Sequence, residues 1–145
     1  MELSRKTLRF LRTVLTEAEV RVSQDSRGKK TPLLVLAKSL AEHKIDVFLK
    51  KRLPPWAAAQ VRLSHKFRGA SVTIYEHRAP WREDDTEWTT MSVARLRYEA
   101  KPGKWTLYCA DRNSRWHEYT KVSPTKNIDA LLAEIDRDPT CIFWG

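Results

Sequence analysis

Between Val61 and Tyr119 the sequence contains a series of short strand-like segments separated by turn-forming residues. The clearest segment, Ser71–Arg78, alternates apolar and polar side chains and is followed by Pro80. A period of two places successive residues on opposite faces of a sheet, and proline is confined to the ends and edges of sheets. Five strands are predicted: Val61–Phe67, Ser71–Arg78, Ser92–Glu99, Trp105–Asp111 and Arg115–Tyr119. Because turns join them in sequence order, we expect one mostly antiparallel meander sheet.

Two turns determine the expected strand pairing. Arg68-Gly69 joins the first two strands as a hairpin. Pro102-Gly103 is typical of a type II turn between the third and fourth strands. Such a turn would place Arg97 roughly opposite Tyr108.

Helices are predicted before and after the sheet. Ser39 and Glu42 form a capping box in front of a helix from about Leu40 to Arg52. The preceding segment, Leu33–Ala37, is either a short strand or the first turns of a longer helix behind Thr31-Pro32. A last helix covers Asn127–Arg137, with Asn127 as its N-cap. The predicted fold class is α+β.

The first 38 residues are predicted to form a separate basic extension. Residues 3–20 fit an amphipathic helix, and residues 23–30 fit a polar loop. Residues 39–145 then form the α+β domain. The start of the chain lacks the apolar stretch of a signal peptide, and no segment is apolar for long enough to span a membrane, so we expect a cytoplasmic protein. Its two cysteines, Cys109 and Cys141, are expected to be reduced thiols.

Positive charge is concentrated in two parts of the chain. The net charge is +9, and residues 1–56 hold 13 Lys and Arg against 6 Asp and Glu, while residues 92–126 hold 8 against 3. A polyanion, nucleic acid first, is the natural partner for such a distribution. Solubility alone is the alternative reason for the charge.

Basic and aromatic residues are interleaved in the last three strands, as a surface that neutralises phosphates and stacks bases requires. Trp105 and Trp116 also fit a core role, because aromatic residues in strands pack inside more often than they bind ligands. We predict that nucleic acid is bound by Arg5, Arg9, Arg12, Lys50, Lys51, Arg95, Arg97, Lys104, Tyr108, Arg112, Arg115 and Tyr119.

Two further functions stay open. A metal-independent ribonuclease could use His117 or Glu118 for proton transfer and Arg95 or Arg97 to stabilise the phosphate charge. A protein-binding adaptor could use the basic N-terminal helix or the apolar tail Ile142-Phe143-Trp144. We expect no metal and no cofactor, because the four histidines lack the spacing of zinc ligands and no nucleotide-binding glycine pattern is present.

Glu76 and Arg78 have opposite charges at a spacing of two, on the strand face that carries Val72 and Ile74. We predict a structural ion pair in which Glu76 orients Arg78, or Arg95 from a facing part of the sheet, at the rim of a basic surface. A direct role in binding or catalysis is the alternative.

Several spaced motifs resemble a known family. They are K-K-R-L-P-P at residues 50–55, V-T-I-Y-E-H-R-A-P-W at 72–81, S-V-A-R at 92–95, W-T-L-Y at 105–108, R-W-H-E-Y at 115–119 and C-I-F-W-G at 141–145. From about Ser39 to Gly145 the chain resembles the bacterial family catalogued as domain of unknown function 3024. The resemblance implies one compact bacterial domain and supplies no mechanism.

Overall fold

A computed structural model of the protein describes residues 32–145. The chain divides into two compact units, Met1–His43 and Lys44–Gly145. Of the first unit only residues 32–43 are described, and they form the first turns of a helix. The helix predicted over residues 3–20 and the polar loop at 23–30 lie outside the described residues, and the domain boundary predicted after residue 38 stays a prediction.

The first described helix, α1, covers Pro32–Arg52. It starts eight residues before the predicted Leu40, so Leu33–Ala37 is its beginning and not a strand. Proline suits the first helical position because its fixed φ is already helical and the N–H it lacks would have no partner there. Ser39 therefore lies inside the helix, and the predicted capping box is wrong. Pro54 and Pro55 follow the helix, as expected, and a short 3₁₀ turn covers Pro55–Ala57.

The sheet is a five-stranded antiparallel meander in sequence order, which confirms the predicted α+β class. A second helix, α2, follows it at Ile128–Arg137, and the Asn127 side chain accepts a hydrogen bond from the Asp129 amide as the predicted N-cap. Gly69 and Ala70 connect the first hairpin, with Gly69 at φ 58° in the position that a type II′ turn reserves for glycine. The strands are β1 (Val61–Arg68), β2 (Ser71–Arg78), β3 (Thr89–Glu99), β4 (Lys104–Ala110) and β5 (Trp116–Glu118).

The connection between β3 and β4 differs from the prediction. It is four residues long, and the Gly103 amide donates to the Glu99 carbonyl at 2.7 Å, so a two-residue type II turn does not form. The longer connection moves the pairing by two residues. Arg95, not Arg97, lies opposite Tyr108, and Arg97 pairs with Thr106.

The core lies on one face of the sheet. Val72, Ile74, Leu96 and Leu107 are almost completely buried there, as are Leu131 and Ile135 of α2. Asp46 of α1 contacts His65 on the same face at 3.4 Å. The part of α1 from Lys44 to Arg52 and α2 therefore cover this face, which we call the helix face. Within residues 32–145, no helix has the length and apolar character needed to cross a membrane.

Candidate nucleic-acid interface

The other face of the sheet carries most of the basic side chains of the strands. Neither described helix covers it, and we call it the open face. Strand register arranges it in rows across the sheet. One row runs Lys66, Thr73, Arg95, Tyr108, Glu118, and the next runs Arg68, Ser71, Arg97, Thr106.

A β-bulge in β3 places the two arginines on this face. Ile74 pairs with Ala94 and Tyr75 pairs with Ser92, so Val93 is an extra residue without a partner on β2. Val93 and Ala94 are both buried. The bulge therefore shifts the alternation by one residue, and Arg95 and Arg97 lie on the open face beside Thr73 and Ser71.

Four cations of the open face form a two-by-two arrangement. Lys66 and Arg95 are two strands apart, which is about 10 Å, and Arg68 and Arg97 lie in the next row about 7 Å away. Lys66, Arg68 and Arg97 are exposed, and Arg95 is half-buried. Among residues 32–145, no carboxylate forms an ion pair with any of the four.

Arg95 is held by two contacts. Its Nε donates to the Thr73 hydroxyl at 3.0 Å. Its guanidinium carbon lies 4.2 Å from the centre of the Trp116 ring on β5. A guanidinium over an aromatic face is a favourable cation–π contact. The side chain therefore has a defined position on the open face.

A depression of about 400 Å³ is lined by three of these cations, Lys66, Arg68 and Arg95. The hydroxyls of its lining can donate hydrogen bonds, and the cations of its lining favour a negative charge. Such a lining suits a phosphate group. The residues around the depression are Lys66, Arg68, Ser71, Thr73, Tyr75 and Arg95.

The β4–β5 side of the open face is aromatic. Tyr108 and Trp116 are half-buried, and Glu118 lies next to Tyr108 on β5. Trp116 is therefore part of this surface, whereas Trp105 is 4% exposed and belongs to the core. Lys104 lies at the margin of the face, where it pairs with Glu99 across the strands.

Tyr119 is not available to a ligand, and its prediction as a nucleic-acid contact is wrong. The side chain is 5% exposed, and its hydroxyl donates to Glu134 of α2 at 2.9 Å. Arg137 donates to the other oxygen of Glu134. Burial, followed by the Glu134 hydrogen bond, raises the pKa of Tyr119. Tyr119 therefore joins α2 to the sheet.

Other predicted contacts are outside the two rows of the open face. Lys50 lies on α1 in a cleft of about 510 Å³ that Leu63 and His65 of the helix face also line. Lys51 is beside it on the same helix. Arg112 and Arg115 are exposed in the turn between β4 and β5. Arg5, Arg9 and Arg12 lie outside the described residues.

Glu76 and Arg78 contact each other, with Arg78 Nε donating to Glu76 Oε1. Glu76 is 9% exposed and pairs with Leu63 of β1, so the two charges lie at one end of the helix face. Arg95 is on the opposite face and contacts Thr73 instead. The predicted alternatives that Glu76 orients Arg95, and that the pair borders the basic surface, are therefore wrong.

His117 does not lie near Arg95. It pairs with Cys109 on the helix-face side of β5, and its Nε2 lies 2.7 Å from Asp111 Oδ2. This hydrogen bond, together with those from the Arg115 and Asn113 amides, lowers the pKa of Asp111. The Cys109 thiol has a raised pKa because it is buried. The structure thus separates the two weak catalytic candidates.

No three His, Cys, Asp or Glu side chains converge in a metal-binding arrangement within residues 32–145. The acidic residues of the loop after β2, Glu83, Asp84, Asp85 and Glu87, are part of the region to which this applies. Cys109 and Cys141 are both free thiols, the first buried and the second exposed.

The C-terminal tail packs on its own domain. Phe143 is 4% exposed, and its ring centre lies 5.1 Å from that of Tyr119. Trp144 Nε1 donates to the Ile135 carbonyl at 2.8 Å, and Arg52 lies over its ring. Of the predicted docking tail, only Ile142 is exposed among the three apolar residues.

Sequence reasoning missed the contribution of β1 and β2 to the open face. Lys66, Arg68, Thr73 and Tyr75 lie around the depression, but none was predicted as a site residue. A signal was present, because Lys66 and Arg68 alternate with Phe67 in a strand pattern. Their position beside Arg95 depends on strand pairing, which the alternation alone does not give.

Comparison with known families gives one match. The family described as "Domain of unknown function (DUF3024)" matches residues 34–145. No curated protein and no solved structure matches the chain significantly.

Proposed function

This chain belongs to the DUF3024 family, and we propose that it binds nucleic acid through the open face of its sheet. The observation that carries the proposal is the arrangement of Lys66, Arg68, Arg95 and Arg97. These four cations share one face, and no carboxylate among residues 32–145 neutralises them. A cluster of unneutralised cations attracts an anion.

The distribution of the cations favours a polymer over a small anion. They occupy an area of about 10 Å by 7 Å, and only Lys66, Arg68 and Arg95 line the depression, so a single phosphate bound there would not engage Arg97. A nucleic acid offers repeated phosphates to all four. It also offers bases to the aromatic side chains next to the cations, Tyr108 and Trp116.

The two alternatives receive less support from the described residues. Arg95 and His117 lie on opposite faces of the sheet, so they cannot act on one phosphate as a ribonuclease pair would. Glu118 shares the open face with Arg95, but the two lie two strands apart, about 10 Å at the backbone. The tail offered for an adaptor role contacts its own domain through Phe143 and Trp144. The proposal is therefore binding without a chemical step.

Salt dependence provides the test. We expect the full-length protein to bind a fluorescein-labelled oligonucleotide at low ionic strength, measured by fluorescence anisotropy. Four phosphate contacts predict a slope of about −3 in a plot of log K against log salt concentration for a single strand. A slope near zero, or no binding at low salt, would contradict the proposal.

Variants locate the surface. The double variant Lys66→Ala/Arg97→Ala should weaken binding and reduce the magnitude of the slope by about 1.4, because each lost contact removes about 0.7. Lys44→Ala is the matched control, since Lys44 lies on α1 and contacts Asp129 of α2, on the side of the helix face. If the control weakens binding as much per lost charge as the double variant, the open face is not the binding surface.

A further inference from the structure

Resting on the proposed function, we infer that the open face binds a single strand, with its phosphates on the β1–β3 side and its bases on the β4–β5 side. The starting observation is that the four clustered cations and the two neighbouring rings, Tyr108 and Trp116, lie on different strands of one face, while Tyr75 of β2 lines the depression. The four cations lie on β1 and β3, whereas Tyr108 and Trp116 lie on β4 and β5.

The lining of the depression indicates which side of the open face binds phosphate. Its lining combines cationic ends from Lys66, Arg68 and Arg95 with the hydroxyls of Ser71 and Thr73. A phosphate oxygen accepts hydrogen bonds from both kinds of group, and those from charged donors are the stronger ones. The backbone of a strand would therefore cross the sheet at this point.

The Glu118 carboxylate makes the β4–β5 side of the open face different from the cationic side. It is exposed on β5 next to Tyr108, at the far end of the row that begins with Lys66. A carboxylate repels phosphate but can accept a hydrogen bond from the exocyclic amine of a base. The β4–β5 side thus disfavours the backbone and accommodates bases.

A duplex fits this division poorly. Its bases are stacked inside, so Tyr108 and Trp116 would have no base face to contact. The sheet is also too broad to enter a groove, because five strands span about 19 Å and the major groove of DNA is about 12 Å wide. A duplex could use only the cations, whereas a single strand could use both sides of the face.

Arg95 connects the two sides. It contacts Thr73 in the depression and also covers one face of the Trp116 ring. The cation and the ring therefore hold each other in place before a strand arrives. A phosphate near Thr73 and a base near Trp116 would lie on either side of this contact.

The experiment compares full-length protein binding to a 15-nucleotide single strand, as DNA and as RNA, with binding to the corresponding blunt duplexes at one salt concentration. We expect the tighter single strand to bind about fivefold more strongly than either duplex, as one stacked base would provide. Tyr108→Leu should weaken single-strand binding about fivefold and leave duplex binding unchanged. Tyr108→Phe keeps the ring and should bind as the native protein does.

The outcomes separate the two proposals. If no oligonucleotide binds with salt-dependent affinity, the proposed function fails, and this inference fails with it. If a duplex binds as tightly as the single strands, or if Tyr108→Leu weakens both equally while its thermal unfolding is unchanged, nucleic-acid binding stands but the single-strand inference is overturned. The comparison made with the native protein does not depend on any variant folding.

Discussion

The guanidinium carbon of Arg95 lies 4.2 Å from the centre of the Trp116 ring. The two residues belong to β3 and β5, so the contact reaches across β4 on the open face. Ala110 is the residue of β4 that pairs with Trp116. Its small side chain leaves room above the strand for the guanidinium to reach the ring.

We predict that Arg95 and Trp116 are coupled energetically. In a double-mutant cycle with Arg95→Leu and Trp116→Leu, the coupling in the free energy of unfolding should be about 0.5–1 kcal/mol. Urea denaturation measures it. The matched pair, Arg97→Leu with Trp116→Leu, should be additive, since no contact joins Arg97 to the ring among the described residues. Equal coupling in both cycles would show that the ring does not hold Arg95.

A second prediction concerns the buried hydrogen bond from Tyr119 to Glu134. Tyr119→Phe removes a donor from a carboxylate that is 7% exposed, and we expect the free energy of unfolding to fall by about 1–3 kcal/mol. Tyr75→Phe is the control, because Tyr75 is half-buried on the open face and should change stability by less than about 0.5 kcal/mol. Urea denaturation at neutral pH compares them, and equal stability of the two variants would contradict the prediction.

The raised pKa of Tyr119 predicts that the stability of the protein depends on pH in the alkaline range. Burial and the Glu134 hydrogen bond raise the pKa of Tyr119 above its ordinary value of 10.0. A raised pKa in the folded state means that its contribution to stability is complete below pH 10 and is lost as pH rises through the folded pKa. The stability difference between native protein and Tyr119→Phe should therefore shrink above about pH 10. A difference that stays constant up to pH 11 would contradict it.

Local signals in the sequence identified most elements of the fold. The alternation in Ser71–Arg78 gave β2 its observed bounds, and Asn127 with Asp129 marked the start of α2. The predicted start of α1 at Leu40 is wrong because it relies on the capping-box pattern at Ser39, whereas the helix begins at Pro32. The sequence pattern of a capping box, Ser followed three residues later by Glu, can also occur inside a helix. The backbone amides there already have partners within the helix, so the pattern alone does not mark a helix start.

Long-range pairing was harder to predict than the elements themselves. Alternation correctly put Arg95 and Arg97 on one face, but their partners depended on the length of the β3–β4 connection. The bulge at Val93 is set by pairing with β2, which no single strand pattern reveals. The prediction that Tyr119 contacts a ligand is wrong because the residue is buried and bonds to Glu134 on a later helix, which the strand pattern does not indicate.

A further prediction concerns the turn between β4 and β5. Asp111 Oδ1 accepts from the amides of Asn113 and Arg115 at 2.8 and 3.0 Å, and Asp111 Oδ2 contacts His117. Asp111→Ala removes these contacts, so the two amides should exchange faster with solvent, as measured by NMR hydrogen exchange. Asp84→Ala, in the exposed loop after β2, is the control and should leave both amides unchanged.

The turn should also respond to acid. Hydrogen bonds from His117 and from the two amides lower the pKa of Asp111 below 3.8. A lowered pKa in the folded state means that the stabilisation is complete above pH 3.8 and is lost as pH falls through the folded pKa. Protection of the Asn113 and Arg115 amides relative to Asp111→Ala should therefore persist at pH 4 and decline below about pH 3.8. Loss of that protection well above pH 4 would contradict the assignment to Asp111.

The last prediction concerns the C-terminal tail. Asp138 ends α2 at φ 42°, and its carboxylate accepts from the amides of Phe143 and Trp144 at 3.1 and 2.9 Å. These bonds turn the chain back so that Phe143 packs on Tyr119. Phe143→Ala should therefore lower the free energy of unfolding by about 3 kcal/mol, because it leaves a cavity beside α2.

Ile142→Ala is the matched change in the same tail. Ile142 is 43% exposed, so its loss should change the unfolding free energy by less than about 0.5 kcal/mol. Urea denaturation of the two variants separates a tail that closes its own core from one that is free to dock a partner. If Phe143→Ala were as stable as Ile142→Ala, the Phe143 side chain would contribute nothing to the core. The tail would then be available to bind a partner, as the adaptor alternative requires.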